Sequence, residues 1–253
     1  MSAIQVKDLI YEVPGKRILD HINLEINAGE IVSIMGQSGS GKTSLLKMLT
    51  GLRAATSGSI LIDGVDIVGL SERELDKVRL KTGLVFQYAA LFDSLNVYDN
   101  IVFGVTRHKV SSGARPGRAQ LDQMVSELLA EVELPGMEER MPSQLSGGQQ
   151  KRIGLARALA MKPEFVFYDE PTSGLDPITA RTIDDLIITT RDRNQVTSVV
   201  VSHDLASIFR ISDRIAMLDQ GRVVFYGTPE EARLSKVDMV QRFIASELPG
   251  AAH

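Results

Sequence analysis

The chain has 253 residues, 43% apolar and 24% charged, with 28 Lys and Arg against 32 Asp and Glu for a formal net charge of −4. That size suits one sizeable α/β domain with an inserted lobe, and the charge gives no sign of a nucleic acid or an anionic membrane surface as partner. Without cysteine there is no disulfide framework, thiolate metal site or cysteine nucleophile; without an apolar run near the roughly 20 residues that cross a bilayer, the chain reads as soluble, cytoplasmic and not itself a pore.

The first sixty-odd residues read as strands. ILDHINLEI and GSILIDG alternate apolar and polar residues, as half-buried strands do. Between them EIVSIMG is a continuous apolar run ending at glycine, which predicts a buried strand, and KTSLLKMLTGL after it reads as a helix. TGLVFQ (82–87) reads as a further strand, after which the pattern turns helical, with Leu121, Met124, Val125, Leu128, Leu129 and Val132 at helical spacing. The polar, basic stretch from Arg107 to Gln120 reads as a solvated loop, with a lipid-headgroup or partner contact as the alternative. Residues 165–170 and 196–202 return to buried-strand patterns around a helical segment. AMLDQGRVVFYG looks like a hairpin turning at Gln220 and Gly221, and two helical segments follow. Strands alternating with helices imply a mostly parallel sheet, interrupted by a helical lobe over about 88–160.

Two motifs carry chemistry. Gly36-Gln-Ser-Gly-Ser-Gly-Lys-Thr43 fits the phosphate-binding pattern G-x-x-x-x-G-K-[ST], between a predicted strand and a predicted helix. Gly36, Gly39 and Gly41, with Ser38, Ser40 and Ser44, allow backbone N–H groups to curl around phosphate oxygens at a helix N-terminus. Lys42 would reach the β- and γ-phosphates of ATP, and the Thr43 hydroxyl would bind Mg²⁺. FVFYDE then delivers Asp169 and Glu170 to the carboxyl end of a buried strand, where parallel sheets bind ligands. Asp169 would hold Mg²⁺ and Glu170 would polarise the attacking water.

Between these motifs lies Leu145-Ser-Gly-Gly-Gln-Gln150, and with it the chain closely resembles the nucleotide-binding subunits of ATP-binding cassette (ABC) transporters. The resemblance runs from about Ile4 to about Thr228, with its motifs in the family's order: the P-loop, Gln87, LSGGQ at 145–149, Asp169-Glu170, SGLD at 173–176 and His203. It implies an α/β P-loop NTPase core (1–87 and 161–229) with an N-terminal antiparallel β-subdomain, an inserted helical subdomain (88–160) and a C-terminal helical tail (230–253). It also implies a head-to-tail homodimer, in which Ser146, Gly147, Gly148 and Gln149 of one subunit meet the γ-phosphate held by the other. Tyr11 matches the aromatic residue that stacks on adenine. Gln87 matches the glutamine that contacts Mg²⁺ and water, and His203 the switch histidine at the γ-phosphate. Asp176 matches the loop that communicates between subunits.

Such an ATPase acts with integral-membrane permease subunits at the cytoplasmic face of the cell membrane. Phe86-Gln-Tyr-Ala-Ala-Leu-Phe92, followed by Asn96-Val-Tyr-Asp-Asn-Ile101, looks like the ATPases of lipid-asymmetry and mammalian-cell-entry-type systems. Those systems move phospholipid or other hydrophobic molecules and use lipid-binding envelope components. This chain departs from their pattern at Ala89, where glycine is usual, and carries a bulkier Tyr88 before it. An importer of polar solutes or a lipoprotein-release system is the alternative within the same chemistry. An ABC ATPase that organises DNA or ribosomes lacks support, since there are no sustained heptads and no basic surface. The amphipathic Val237–Ile244 segment would pack on its own domain or reach another subunit.

Overall fold

The computed structural model describes residues 2–107 and 116–247. Most of the 107–120 stretch, and the end of the C-terminal tail, lie outside the described residues.

Two sheets divide the strands. β1 (Ser2–Val13), β2 (Lys16–Asn27), β4 (Ser57–Ile62) and β5 (Val65–Asp66) form an antiparallel sheet in the order β2-β1-β4-β5. Along β2 exposed and buried positions alternate, as the sequence pattern predicts for a sheet with one wet face. The second sheet runs β10-β9-β3-β8-β7-β6, from β3 (Ile31–Met35), β6 (Thr82–Val85), β7 (Phe165–Asp169), β8 (Thr197–Val201), β9 (Arg214–Asp219) and β10 (Arg222–Gly227). All neighbours in it are parallel except the β9–β10 hairpin.

The central strands read as continuous apolar runs because both their faces are covered. Ile31, Val166, Tyr168 and Val200 face one apolar core, while Val32, Ile34, Phe165, Phe167, Val199 and Val201 face another. The first of these cores also contains Val97, Ile101, Val125, Leu129 and Ile153 from the helical lobe. That lobe comprises α3 (Val97–Arg107), α4 (Arg118–Glu131) and α5 (Gly147–Leu159), and it shares packed side chains with the sheet. α6 (Pro177–Asn194) starts with Asp176 as N-cap and Pro177 in the first turn, a strong start signal. α7 (Leu205–Ile211), α8 (Pro229–Arg233) and α9 (Asp238–Glu247) follow. In α9, Val240, Phe243 and Ile244 are buried with Met35, Leu205, Ile208 and Met217, so the described part of the tail packs on its own chain. No helix among the described residues is long and apolar enough to cross a membrane.

The structure departs from the sequence pattern at three places. The strand expected over 82–87 ends at Val85, and residues 88–96 are irregular where helix was expected. Ala89 and Ala90 take φ of 57° and 48° there, in the left-handed region where glycine is at ease, which is the physical reason a glycine suits position 89. The wholly buried Asn100 fixes this stretch: its Oδ1 accepts from the Phe92 N–H and its Nδ2 donates to the Phe92, Leu95 and Asn96 carbonyls. The sequence pattern does not predict helix α2 (Glu72–Arg79); its apolar side is only Leu75 and Val78, both partly buried against the core, a stripe too short to mark it. The predicted hairpin turn is present, with Gln220 and Gly221 both at positive φ, as two-residue hairpin turns prefer.

One buried carboxyl gives the fold a pH signature. Asp184 on α6 is 4% exposed and accepts a hydrogen bond from the Ser207 hydroxyl of α7, with the Arg210 guanidinium 3.8 Å away. Burial pushes its pKa up to about 6, against the opposing pull of Ser207 and Arg210. Between the ordinary carboxyl value near 4 and that raised value, the folded chain holds a proton that the unfolded chain has released. Stability from this group is therefore present at low pH and lost as pH rises through that window. Asp184→Asn should stabilise the protein by about 1–3 kcal/mol at pH 8 and leave it nearly unchanged at pH 4. Thermal unfolding of both proteins at the two pH values checks this, and an equal shift at both would contradict it.

Candidate functional site

The buried strand β3 ends at Met35 and the chain turns sharply through 36–41 into α1 (Lys42–Leu49). Gly36 has φ of 147°, and a Cβ there would lie 2.1 Å from the Leu218 carbonyl oxygen of β9. Gly41 has φ of 109°, and its Cβ would strike the Leu19 side chain at 2.6 Å. Gly36 is thus required by its close approach to β9, and Gly41 by a φ that side chains rarely adopt. The turn of the β9–β10 hairpin braces the loop as well, since the Gly221 N–H donates to the Ser40 carbonyl. Because Gly41 makes no side-chain cap, the first N–H groups of α1 remain available to an anion.

The loop borders a cavity of about 790 Å³, lined by Gly36, Gln37, Ser38, Gly39, Gly41, Lys42, Thr43 and Ser44, with Gln87, Glu170 and His203 across from them. Lys42 Nζ lies inside the loop, donating to the Gly36 carbonyl at 2.7 Å and the Gln37 carbonyl at 3.0 Å. Burial pulls its pKa down, and the carboxylates of Glu170 and Asp169 work against that pull.

The end of β7 supplies the acidic side. Asp169 Oδ1 is buried with no hydrogen-bond partner among the described residues. Burial, with the adjacent Glu170 charge, raises its pKa; Lys47, Lys42 and the Thr43 hydroxyl oppose the rise. A hard divalent cation accepts oxygen ligands of this kind, so an orphaned carboxylate oxygen beside Thr43 fits Mg²⁺. Glu170 has φ of 50°, and its N–H donates to the Val201 carbonyl. Its Oε2 lies 2.8 Å from His203 Nδ1, and the His203 backbone N–H donates to the same oxygen at 3.4 Å. The two residues come from the adjacent parallel strands β7 and β8, whose carboxyl ends share one edge. Gln87 Nε2 donates to the Ser173 hydroxyl at 3.4 Å, tying the start of the helical lobe to the turn after Glu170.

Other expected site residues fall elsewhere. Tyr11 is half-buried on β1 with the Arg53 guanidinium 5.4 Å above its ring, and does not line the cavity. Ser40 is buried with its hydroxyl unpartnered among the described residues. Ser146 caps α5: its hydroxyl accepts from the Gln149 N–H, while Gln149 Oε1 accepts from the Ser146 N–H. Gly148 allows α5 to approach α6, since a Cβ there would meet Thr179 Cγ2 at 2.4 Å. The Asp176 carboxylate accepts from the Ile178 and Thr179 N–H groups at the start of α6. These signature and SGLD residues are absent from the cavity lining. Lys16, Ile18 and Phe243 do line it, although the strand pattern around Ile18 and the amphipathic segment holding Phe243 give no sign of a site. They arrive from β2 and α9, by tertiary approach.

A family model described as ABC transporter matches residues 19–173. The chain is 40% identical to a methionine import ATP-binding protein, MetN, of Carboxydothermus hydrogenoformans, over 97% of this chain and 74% of that protein. It is 38% identical to the intermembrane phospholipid transport ATP-binding protein MlaF of Haemophilus influenzae, over 98% of this chain and 92% of that protein. Among solved structures, the dimeric post-hydrolysis state of the ATP-binding cassette MJ0796, bound to ADP and Pi, superposes with a TM-score of 0.79 at 32% identity, covering 89% of this chain and 98% of that one. A P-loop braced on a parallel sheet, with a carboxylate and a histidine facing it, stands in a chain that belongs to the ABC transporter family as an ATP-hydrolysing cassette.

Proposed function

We propose that this ATPase energises the movement of phospholipid or another hydrophobic molecule through a separate membrane permease, working as a homodimer at the cytoplasmic face of the cell membrane. The observation that carries the lipid reading is the segment Phe86–Phe92. It leaves the sheet beside Gln87 and exposes Tyr88 at 84%, flanked by partly exposed Phe86 and Phe92. An apolar patch adjoining the ATP cavity suits a permease helix, and the similarity to a phospholipid-transport ATPase supports the lipid class. A lipid-binding envelope component completes the proposed assembly, and nucleic acid has no place in it.

In this reading Lys42 and the backbone of Gly36, Ser38, Gly39, Ser40, Gly41, Thr43 and Ser44 bind the phosphates of ATP. Tyr11 stacks on adenine, from the strand whose hairpin partner β2 carries the cavity residues Lys16 and Ile18. Thr43, Asp169 and Gln87 are the ligand set for Mg²⁺, which supplies charge neutralisation at the β- and γ-phosphates when bound. Glu170 takes a proton from the attacking water, and His203, beside it, donates to the γ-phosphate. Ser146, Gly147, Gly148 and Gln149 cover the partner's ATP, and Asp176 passes closure from one subunit to the other.

Import of a polar solute is the second reading, favoured by the 40% identity to a methionine import protein. Affinity purification from native membranes, with lipid analysis of the complex, decides between the two. Phospholipid and a lipid-binding partner in the complex are expected. A periplasmic amino-acid receptor with no lipid-binding partner would replace the lipid reading with the second.

A further inference from the structure

Lys151 is a buried cation that the reading above leaves without a task. It lies on the second turn of α5, is 7% exposed, and makes no ion pair with a carboxylate among the described residues. Its ammonium instead donates to the backbone carbonyls of Glu170 at 3.3 Å, Pro171 at 2.9 Å and Ser173 at 2.6 Å. An ammonium has three donors, and all three are directed into one turn. Taking such a charge out of water is costly unless it is fully hydrogen-bonded. Burial accordingly pulls the Lys151 pKa down, with the Glu170 charge resisting.

The turn it holds is the one that aims Glu170. At φ of 50° Glu170 occupies a region that non-glycine residues disfavour, so surrounding contacts must hold it there. The Ser173 N–H donates to the Glu170 carbonyl at 3.2 Å, and Lys151 converges on the same oxygen. With the carbonyls of 170, 171 and 173 turned toward one point, a positive charge at that point stabilises their alignment. One turn before Lys151 on the same helix is its Ser146-Gly147-Gly148 start, whose residues do not line this chain's own cavity.

We propose that Lys151 is a positioning residue for Glu170, and that α5 thereby links what its N-terminus binds to the aim of the carboxylate in this chain's own site. The proposal rests on Glu170 acting as the general base. Lys151→Met keeps an apolar stem of similar length and removes the donors, whereas Lys151→Arg restores donors.

In the full chain, Lys151→Met should lower kcat roughly 10- to 100-fold, the scale of loss when a reacting group is misaligned, while the ATP dissociation constant changes less than about twofold. Lys151→Arg should recover part of the lost rate. Amide exchange should quicken over residues 170–175 and stay unchanged over 36–44. Near-wild-type kcat in Lys151→Met, or unchanged exchange over 170–175, overturns the proposal. Should the Met variant fail to fold, Lys151→Leu, which likewise removes every donor, takes its place under the same criteria. Glu170→Gln is measured beside it. A wild-type rate there overturns the general-base reading together with the proposal, whereas an inactive Glu170→Gln beside an unimpaired Lys151→Met overturns the proposal alone.

Discussion

Glu170→Gln should abolish steady-state ATP turnover, by about 10²- to 10⁴-fold if the carboxylate is the general base, while ATP still binds. The substitution replaces one oxygen by an amide nitrogen and keeps the side-chain shape. What holds Glu170 in place is mostly backbone: its N–H donates to Val201, and its carbonyl accepts from Ser173 and Lys151. None of those bonds is lost in the variant. Glutamine retains one oxygen that can accept from the His203 N–H, as Glu170 Oε2 does. Removing the negative charge also relieves the neighbouring Asp169, whose pKa the Glu170 charge helps to raise. Both effects favour an intact, ATP-loaded site without the group that accepts a proton. The expected signature is a doubled apparent mass on size exclusion in ATP, absent in ADP. A monomer under saturating ATP would contradict a sandwich dimer, and continued turnover would remove Glu170 from the chemistry.

The parts of the site that were legible in the sequence are those whose geometry is local. A buried strand, a glycine-rich turn and a helix start lie within a dozen or so consecutive positions around Gly36 to Thr43, and backbone preference alone nearly determines their path. Phe165–Asp169 was legible for a related reason: both faces of the strand are buried, so its residues run apolar until the chain reaches the sheet edge. Residues 88–96 were not legible. Their path depends on Asn100 and on Arg157, which donates to the Ala89 and Ala90 carbonyls from α5. Such side-chain to backbone bonds, from four to eight residues away for Asn100 and 67 or 68 for Arg157, leave no periodicity. Helix α2 left a weaker trace, the Ser71-x-x-Glu74 capping box, with only Leu75 and Val78 as an apolar side to support it. Phe243 and Lys16 enter the cavity lining only because distant elements pack beside the P-loop. Lys151 is the clearest case. Within GGQQKRIGLARAL it looks like one more polar residue on a helix, and its role depends on which turn that helix face meets.

Lys42→Ala should weaken ATP binding by about 100-fold or more if its ammonium contacts phosphate in the proposed way, since each charge-assisted hydrogen bond contributes about 1.5–3 kcal/mol. Lys42 is 8% exposed, and its ammonium bridges the Gly36 and Gln37 carbonyls across the loop. It therefore has two effects that one substitution removes together. It supplies positive charge where phosphate oxygens would lie, and it draws the two carbonyls of the loop toward a common centre. Lys42→Arg does not separate these by simple conservation, because a planar guanidinium cannot occupy the volume of a compact ammonium. Lys42→Met keeps most of the stem, so a loss equal to that of Lys42→Ala assigns the effect to the ammonium, its charge and its donors together, and not to the space the stem fills. Calorimetric titration with ATP measures each variant, and retained affinity within about threefold of wild type would end the P-loop reading. The double variant Lys42→Ala, Glu170→Gln then joins the two halves of the site. If Lys42 is what brings ATP into the cavity and Glu170 is what turns it over, the ATP-dependent dimer of the Glu170 variant must disappear when Lys42 is also removed. A dimer that persists would have to be held by something other than the nucleotide.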